Sequence, residues 1–240
     1  MRISVDFFVD QNIPLAYRLM MISIFKEAVK KGDPYYFQQL YIDDAANPKP
    51  YTFAIRFHKF DLQDDFILTD GFRLLVSSDD YGFLIPFLNG LQKTSLFRYK
   101  EFELERRSIR YLQDYEVKSS KIVFHTLSPV LMEDEFKKPL TPLDSNYNDH
   151  LNAVTNRMLQ THLGRLLHEK IKLIPLDIKK TVIKEKYDTE HPDRYLYFTA
   201  YSGKMMLEGH PEDLNYLLKY GIGLRSSQSF GMLELLKEVR

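Results

Sequence analysis

A glycine-rich segment near the C-terminus holds the residues best suited to contact a phosphate. Residues 221–231 read GIGLRSSQSFG and lie between a predicted helix and a predicted terminal strand. The glycines Gly221, Gly223 and Gly231 let backbone N–H groups approach an anion closely, while Arg225 and Ser227 add charge and a hydroxyl. The segment therefore predicts phosphate binding. The alternative interpretation is a helix C-cap and turn, in which Gly221 merely takes a positive φ.

The common nucleotide-binding motifs do not fit this segment. A P-loop ends in Gly-Lys-Ser/Thr and leads into a helix, and a Rossmann loop also opens a helix. Here a predicted strand follows Gly231. The pattern therefore argues against a P-loop and against a Rossmann loop.

The histidines and the absence of cysteine argue against a resident metal. Cysteine is absent, which excludes disulfides and thiolate metal sites. His150, His162 and His168 fall on one predicted helix, but separations of 12 and 6 residues do not stack them as i, i+4 ligands. His125, on a β-rich run, is the one histidine we assign to a nucleic-acid surface. No metal and no cofactor are expected.

Bulk properties are those of a globular protein with two domains. The chain has 240 residues, with 33 Lys and Arg balancing 33 Asp and Glu. No apolar run is long enough to span a membrane, and the N-terminus does not resemble a signal peptide, so we expect a cytoplasmic protein with no membrane contact. Because nucleic-acid binders usually carry a basic excess, any RNA surface must be a local patch.

The predicted elements occur twice in the same order. The first set opens with a strand at 1–9 and a helix from Pro14 to Lys31, which Gly32 and Pro34 end. Strands at 51–60 and 66–77 follow, then a helix that Asp79 and Asp80 can cap and that runs to Leu91, and a strand or hairpin at 97–117. The second set is a strand at 121–127, a helix at 147–169, strands at 171–185, 193–200 and 203–208, a helix at 211–220 and a strand at 232–239. This order predicts an α+β protein with two tandem ferredoxin-like (RRM-like) domains and antiparallel sheets, covering residues 1–118 and 119–240.

Three segments together resemble a known family. Residues 221–231 are similar to the glycine-rich loop of the CRISPR-associated endoribonucleases that process repeat RNA (the repeat-associated RNA-processing superfamily), although Ser229 stands where that loop usually has glycine. Residues 49–54, KPYTFA, resemble the family's entry to its second strand. Residues 126–129, TLSP, resemble the run that opens its second domain. Length and element order extend the resemblance over nearly the whole chain.

The resemblance implies a reaction. Family members are similar in cutting CRISPR repeat RNA without metal: the 2′-OH attacks the adjacent phosphate and leaves a 2′,3′-cyclic phosphate and a 5′-OH. The implied partner is CRISPR repeat RNA. Other subunits of a CRISPR effector complex and a homodimer stay open as partners. Such chemistry needs proton transfer and a cation that stabilises the phosphorane.

The residues implied for catalysis depart from the family pattern. Lys49 matches the family's lysine, but Tyr41 stands where many members have a histidine, and Lys26 stands where they have a tyrosine. Tyrosine is a weak base, costing about 4 kcal/mol to ionise at neutral pH. We expect Lys49 to stabilise charge or carry a proton, Tyr41 to donate or orient, and Lys26 to assist. Lys30 lies on the same predicted helix face as Lys26 and is assigned to RNA binding; the alternative is a solvated face.

Two other functions stay open. One is a protein of the same fold that binds repeat RNA without cutting it, which the missing histidine would allow. The other is an unrelated tandem ferredoxin-like protein that has a regulatory role or binds small metabolites. Genes beside a CRISPR array would exclude the second, and a cleavage assay would decide between cutting and silent binding.

Overall fold

The structure, a computed structural model, describes residues 1–186 and 195–239. In chain order its elements are β1 (Arg2–Phe8), β2 (Ile13–Pro14), α1 (Arg18–Gly32), α2 (Pro34–Gln38), a π-helical turn (Gln39–Asp43), β3 (Thr52–Phe57), β4 (Asp61–Leu62), β5 (Phe66–Leu68), β6 (Gly71–Ser77), α3 (Tyr81–Lys93), β7 (Leu96–Tyr99), β8 (Phe102–Leu112), β9 (Lys121–Thr126), α4 (Tyr147–Leu163), β10 (Lys172–Lys186), β11 (Tyr195–Glu208), α5 (Pro211–Tyr220), a 3-10 turn (Ser226–Gln228) and β12 (Leu233–Glu238). No helix among the described residues is long and apolar enough to cross a membrane.

The two large sheets repeat one strand order. The first sheet is β3-β6-β1-β8-β7 and the second is β10-β11-β9-β12. In the first sheet β1 lies between β6 and β8, in the second β9 lies between β11 and β12, and these neighbouring strands are antiparallel. This is the ferredoxin-like arrangement, so the predicted fold class is confirmed. A small third sheet, β2-β5-β4, extends from the first half.

A pair of helices covers one face of each sheet. In the first half, α1 and α3 bury a core rich in stacked rings, including Phe25 against Tyr51 at 4.6 Å and Phe25 against Phe87 at 4.9 Å. The two helices approach so closely at Gly90 that a Cβ there would lie 1.7 Å from the Ala28 carbonyl oxygen. In the second half, α4 and α5 cover β9 to β12 through an aliphatic core.

The halves contact each other through polar groups that are buried between them. Arg18 on α1 pairs with Glu185 on β10 at 2.7 Å, and both side chains are nearly inaccessible. Burial raises the pKa of Glu185, and the charge of Arg18 opposes this rise. The Arg2 guanidinium donates to the Leu218 and Leu233 carbonyls. Removing one partner of such a buried pair would leave a charge buried without a partner, which is costly. These contacts therefore fix how the halves meet.

Several predicted boundaries are wrong for local reasons. Pro14 does not begin the first helix; it lies in β2, paired with β5, and α1 begins at Arg18. The long second-half helix ends at Leu163, because Gly164 takes a left-handed φ of 67° and caps it. His168 therefore lies outside that helix. β11 is one strand where two were predicted, and residues 193 and 194 of the earlier one lie outside the described residues.

A short helix after Gly32 was missed. Asp33 accepts hydrogen bonds from the backbone N–H groups of Tyr35 and Tyr36, and Pro34 occupies the first helical position. Proline is favoured at that position, since its missing N–H would have no partner there. Pro34 therefore begins α2, which leads into the π-helical turn that carries Tyr41.

Candidate nucleic-acid interface

A cleft of about 440 Å³ lies between the two halves. One wall is the loop before β3, a second is α4, and the third is the glycine-rich loop between α5 and β12. Its lining includes the cations Lys49, Arg157 and Arg225, and none of the described residues that line it is a carboxylate. Cations without acidic partners attract an anion, so the cleft is suited to a phosphate group.

The glycines of the loop are required by its backbone. Gly221, Gly223 and Gly231 have φ values of 87°, 79° and 67°. A Cβ on Gly231 would lie 1.8 Å from the Ile222 carbonyl oxygen, and one on Gly223 would lie 2.6 Å from that of Leu131. Gly221 and Gly231 therefore shape the loop, whereas Gly223 also lines the cleft.

Several amides of the loop are already engaged. Ile222 N–H donates to Gly231, Leu224 N–H to Leu131 and Gly231 N–H to Pro129, at 2.8 to 2.9 Å. The Thr52 hydroxyl lies within hydrogen-bond distance of the Ser226 and Phe230 carbonyls. These bonds hold the loop against β3 and against the run after β9.

Arg225 projects from the middle of this fixed loop. Its backbone is left-handed, with φ of 58°. Its guanidinium lies 4.7 Å from the ring centre of Phe198 and donates to the Gln228 side chain at 3.1 Å. The side chain stays exposed and, among the described residues, forms no ion pair. Ser227 lines the cleft beside it.

Lys49 faces Arg225 from the other half of the molecule. Its ammonium donates to the carbonyls of Asp44 at 2.6 Å and Ala45 at 3.2 Å. A lysine has three donors, so one remains for a ligand. Burial, with a smaller contribution from nearby Lys26, lowers the pKa of Lys49, while Asp44 opposes that shift. A lowered pKa makes the ammonium a better proton donor.

Tyr41 lies behind Lys49, and its hydroxyl points into the core. The hydroxyl is 3.0 Å from that of Tyr51, and burial raises the pKa of Tyr41 well above its ordinary value. The ring face has Lys26 Nζ at 5.8 Å and Lys49 Nζ at 6.0 Å from its centre. Tyr41 is thus placed to orient two cations through its ring. Lys30 lies farther along α1, over Phe37.

His162 contacts the loop that carries Lys49, which the sequence analysis did not anticipate. Its Nε2 is 3.1 Å from the Pro48 carbonyl, which can only accept, so Nε2 carries the proton; Nδ1 accepts from the Tyr216 hydroxyl at 2.8 Å. Burial lowers its pKa, which favours the neutral ring. His162 thereby ties α4 to the residue before Lys49.

Arg157 was missed as well, although a signal was present. Val154, Arg157 and Met158 recur at helical spacing on α4, and all three line the cleft. His125 is not brought to the cleft. It lies on the outward face of the second sheet, directly across from Lys204 on one neighbouring strand and Glu234 on the other.

Comparison with known proteins identifies the family. The family model for the C-terminal part of CRISPR associated protein Cas6 matches residues 112–235, more than half of the chain. A curated relative, the putative CRISPR-associated endoribonuclease-like protein Cas6 of Pyrococcus furiosus, is 24% identical over 182 residues, which cover 72% of this chain and 71% of the relative.

Solved structures agree on the fold. A Cas6-related protein from Pyrococcus furiosus superposes with a TM-score of 0.83 at 22% identity, covering 100% of this chain and 99% of its own. A RAMP protein described as binding different RNA substrates superposes with a TM-score of 0.81 at 22% identity, covering 99% and 100%. With the family match over its C-terminal half and this shared fold over its whole length, the chain belongs to the Cas6 family of CRISPR-associated proteins.

Proposed function

We propose that this protein binds CRISPR repeat RNA and cuts it by metal-independent transesterification. The observation that carries the proposal is the cleft: Lys49 from one half and Arg225 from the other line one space, and no residue described along its walls is a carboxylate. A phosphodiester held there has cations on two sides. Relatives described as endoribonuclease-like and as binding RNA substrates support the same conclusion.

The bonding changes require little from the protein beyond charge and one proton. The 2′ oxygen forms the new bond to phosphorus, the bond from phosphorus to the 5′ oxygen breaks, and the leaving oxygen takes a proton. Lys49 is suited to supply that proton, because its pKa is lowered and one of its N–H groups remains for a ligand. Arg225 stabilises the negative charge of the phosphorane.

The part of the chain that the structure describes offers no dedicated base for the 2′-hydroxyl in the cleft. Of the described residues that line the cleft, none is a histidine or a carboxylate. Tyr41 is excluded as a base by its raised pKa and its hydrogen bond to Tyr51. The proton of the 2′-hydroxyl therefore passes to water, and we expect slow turnover compared with enzymes that use a histidine.

The same observation favours a second candidate function. A protein with this cleft and no base can bind repeat RNA tightly without cutting it. The cations of the cleft serve binding in both cases, so the two functions differ in whether a product forms.

Incubation with the protein's own repeat RNA in EDTA tests the proposal. We expect cleavage at one position, with a 2′,3′-cyclic phosphate on the upstream product and a 5′-OH on the downstream product. A repeat carrying a 2′-deoxy nucleotide at that position is the matched control and should stay uncut. Tight binding with no cleavage of the natural repeat would establish the silent binder. Cleavage that requires magnesium would contradict the mechanism.

A further inference from the structure

A cluster of three metal-binding side chains lies outside the cleft, where the loop after α4 meets the start of α5. We propose that His168, His210 and Glu212 bind a zinc-class transition-metal ion. One ligand atom from each residue lies within 4.8 Å of the other two. The two imidazole rings are 4.4 Å apart, and His168 Nε2 is 3.0 Å from a Glu212 carboxylate oxygen.

The backbone around the cluster is fixed by a buried carboxylate. Asp213, which is fully buried, accepts the His168 N–H at 2.8 Å and pairs with Arg165 at 2.6 Å. His210 caps α5, and Glu212 follows two residues later in its first turn. The loop that carries His168 is therefore tied to the helix that carries the other two ligands. Chain connectivity and one buried ion pair hold the site together before any ion binds.

The side chains need only small movements to bind an ion. Zinc bonds of about 2.0–2.2 Å place tetrahedral ligands roughly 3.3–3.6 Å apart, whereas the three ligand atoms now lie within 4.8 Å of one another. The ion replaces the hydrogen bond between His168 Nε2 and the Glu212 carboxylate. The bond from Glu212 N–H to His210 Nδ1 is long, at 3.3 Å, so losing it costs little. His168 and Glu212 are exposed, which leaves an open path for entry.

The ligand set selects the class of metal. Two imidazoles and one carboxylate suit zinc, cobalt or nickel, whereas magnesium and calcium prefer oxygen ligands. Three protein ligands leave a fourth position for water. None of the three residues lines the cleft, so this inference does not rest on the proposed function.

We expect metal binding to hold the start of α5 in place. An ion at this site joins the loop after α4 to the first turn of α5, and α5 ends directly before the glycine-rich loop. Metal binding stabilises the folded protein by an amount that rises with the logarithm of the free metal concentration above Kd, because the unfolded chain does not hold the three ligands together.

The test is to titrate the untagged full chain with zinc. Calorimetry measures the binding, and thermal unfolding measures the change in stability. We expect one ion per chain and a higher unfolding temperature with zinc. His168→Ala and His210→Ser should each weaken binding at least tenfold and abolish the temperature shift. Serine is used at 210 because it caps a helix well, so α5 is preserved.

A matched control separates a built site from scattered surface histidines. His150 lies 4.0 Å from Glu135 and is not part of the cluster. His150→Ala should bind zinc as the wild type does. No binding by the wild type, unchanged binding by His168→Ala and His210→Ser, or an equal loss in His150→Ala would each overturn the proposal.

Discussion

The two ends of the glycine-rich loop differ from its middle. At the ends, Gly221 and Gly231 take positive φ. A Cβ would lie 2.8 Å from the Thr52 hydroxyl oxygen at Gly221 and 1.8 Å from the Ile222 carbonyl oxygen at Gly231. In the middle, Arg225 shares the left-handed backbone but extends an exposed guanidinium beside the cleft. The ends build the loop, whereas the middle carries the side chain that we propose contacts phosphate. A glycine-rich signature therefore does not by itself identify the phosphate contacts.

The largest expected effect comes from the ends of the loop. Gly231→Ala should lower the free energy of unfolding by more than about 2 kcal/mol, because alanine meets both an unfavourable φ and the Ile222 carbonyl. Urea unfolding measures the loss. Gly164→Ala is the matched control, since Gly164 has the same φ of 67° with nothing within 4 Å of its Cβ. Equal losses of unfolding free energy in the two variants would show that the close packing of Gly231 contributes nothing beyond its φ.

The second effect concerns the wall opposite the loop. His162→Phe removes both hydrogen bonds of the ring and frees Pro48, so Lys49 should be misplaced. We expect the single-turnover cleavage rate to fall about tenfold, because small displacements of a catalytic group are costly. His162→Gln, which can still donate to Pro48, should recover part of the rate. Equal rates for wild type and His162→Phe would show that the contact is structural.

The third effect tests the middle of the loop directly. Arg225→Ala keeps a non-glycine residue at the left-handed position and removes the guanidinium. Affinity for repeat RNA should fall about tenfold at low salt, and the slope of log K against log salt should decrease by about one. Arg98→Ala, which removes an exposed arginine paired with Glu103, is the control. An unchanged slope in Arg225→Ala would mean that the loop is a turn without a phosphate contact.

The smallest effect concerns Tyr41. Tyr41→Phe keeps the ring under Lys26 and Lys49 and removes only the hydroxyl bonded to Tyr51, so the cleavage rate should change less than about threefold. Tyr41→Leu removes the ring and should slow cleavage more, since cation–π contacts contribute about 0.5–1 kcal/mol or more. A large loss of cleavage rate in Tyr41→Phe would show that the Tyr41 hydroxyl takes part in the reaction.

Sequence patterns predicted the fold well and the cleft in part. Strand alternation and the Asp80 cap were local signals, and α3 forms as predicted despite Gly82, Pro86 and Gly90. Pro34 was taken as a stop, although Asp-Pro at that point is a helix start. Lys49 and Arg225 were found through motifs. His162 was not, because its role depends on Pro48 and Tyr216, which are distant in the chain.

The most direct test of the account is the effect of Lys49→Met on rate and affinity, measured separately. Methionine keeps the buried stem of the side chain and removes the ammonium. The single-turnover cleavage rate should fall about 10²-fold or more, while affinity for repeat RNA falls less than about tenfold, because the charge acts mainly in the transition state. Lys93→Met, which removes an ammonium bonded to the Lys31 carbonyl outside the cleft, should match the wild type. Cleavage by Lys49→Met at the wild-type rate would contradict the account.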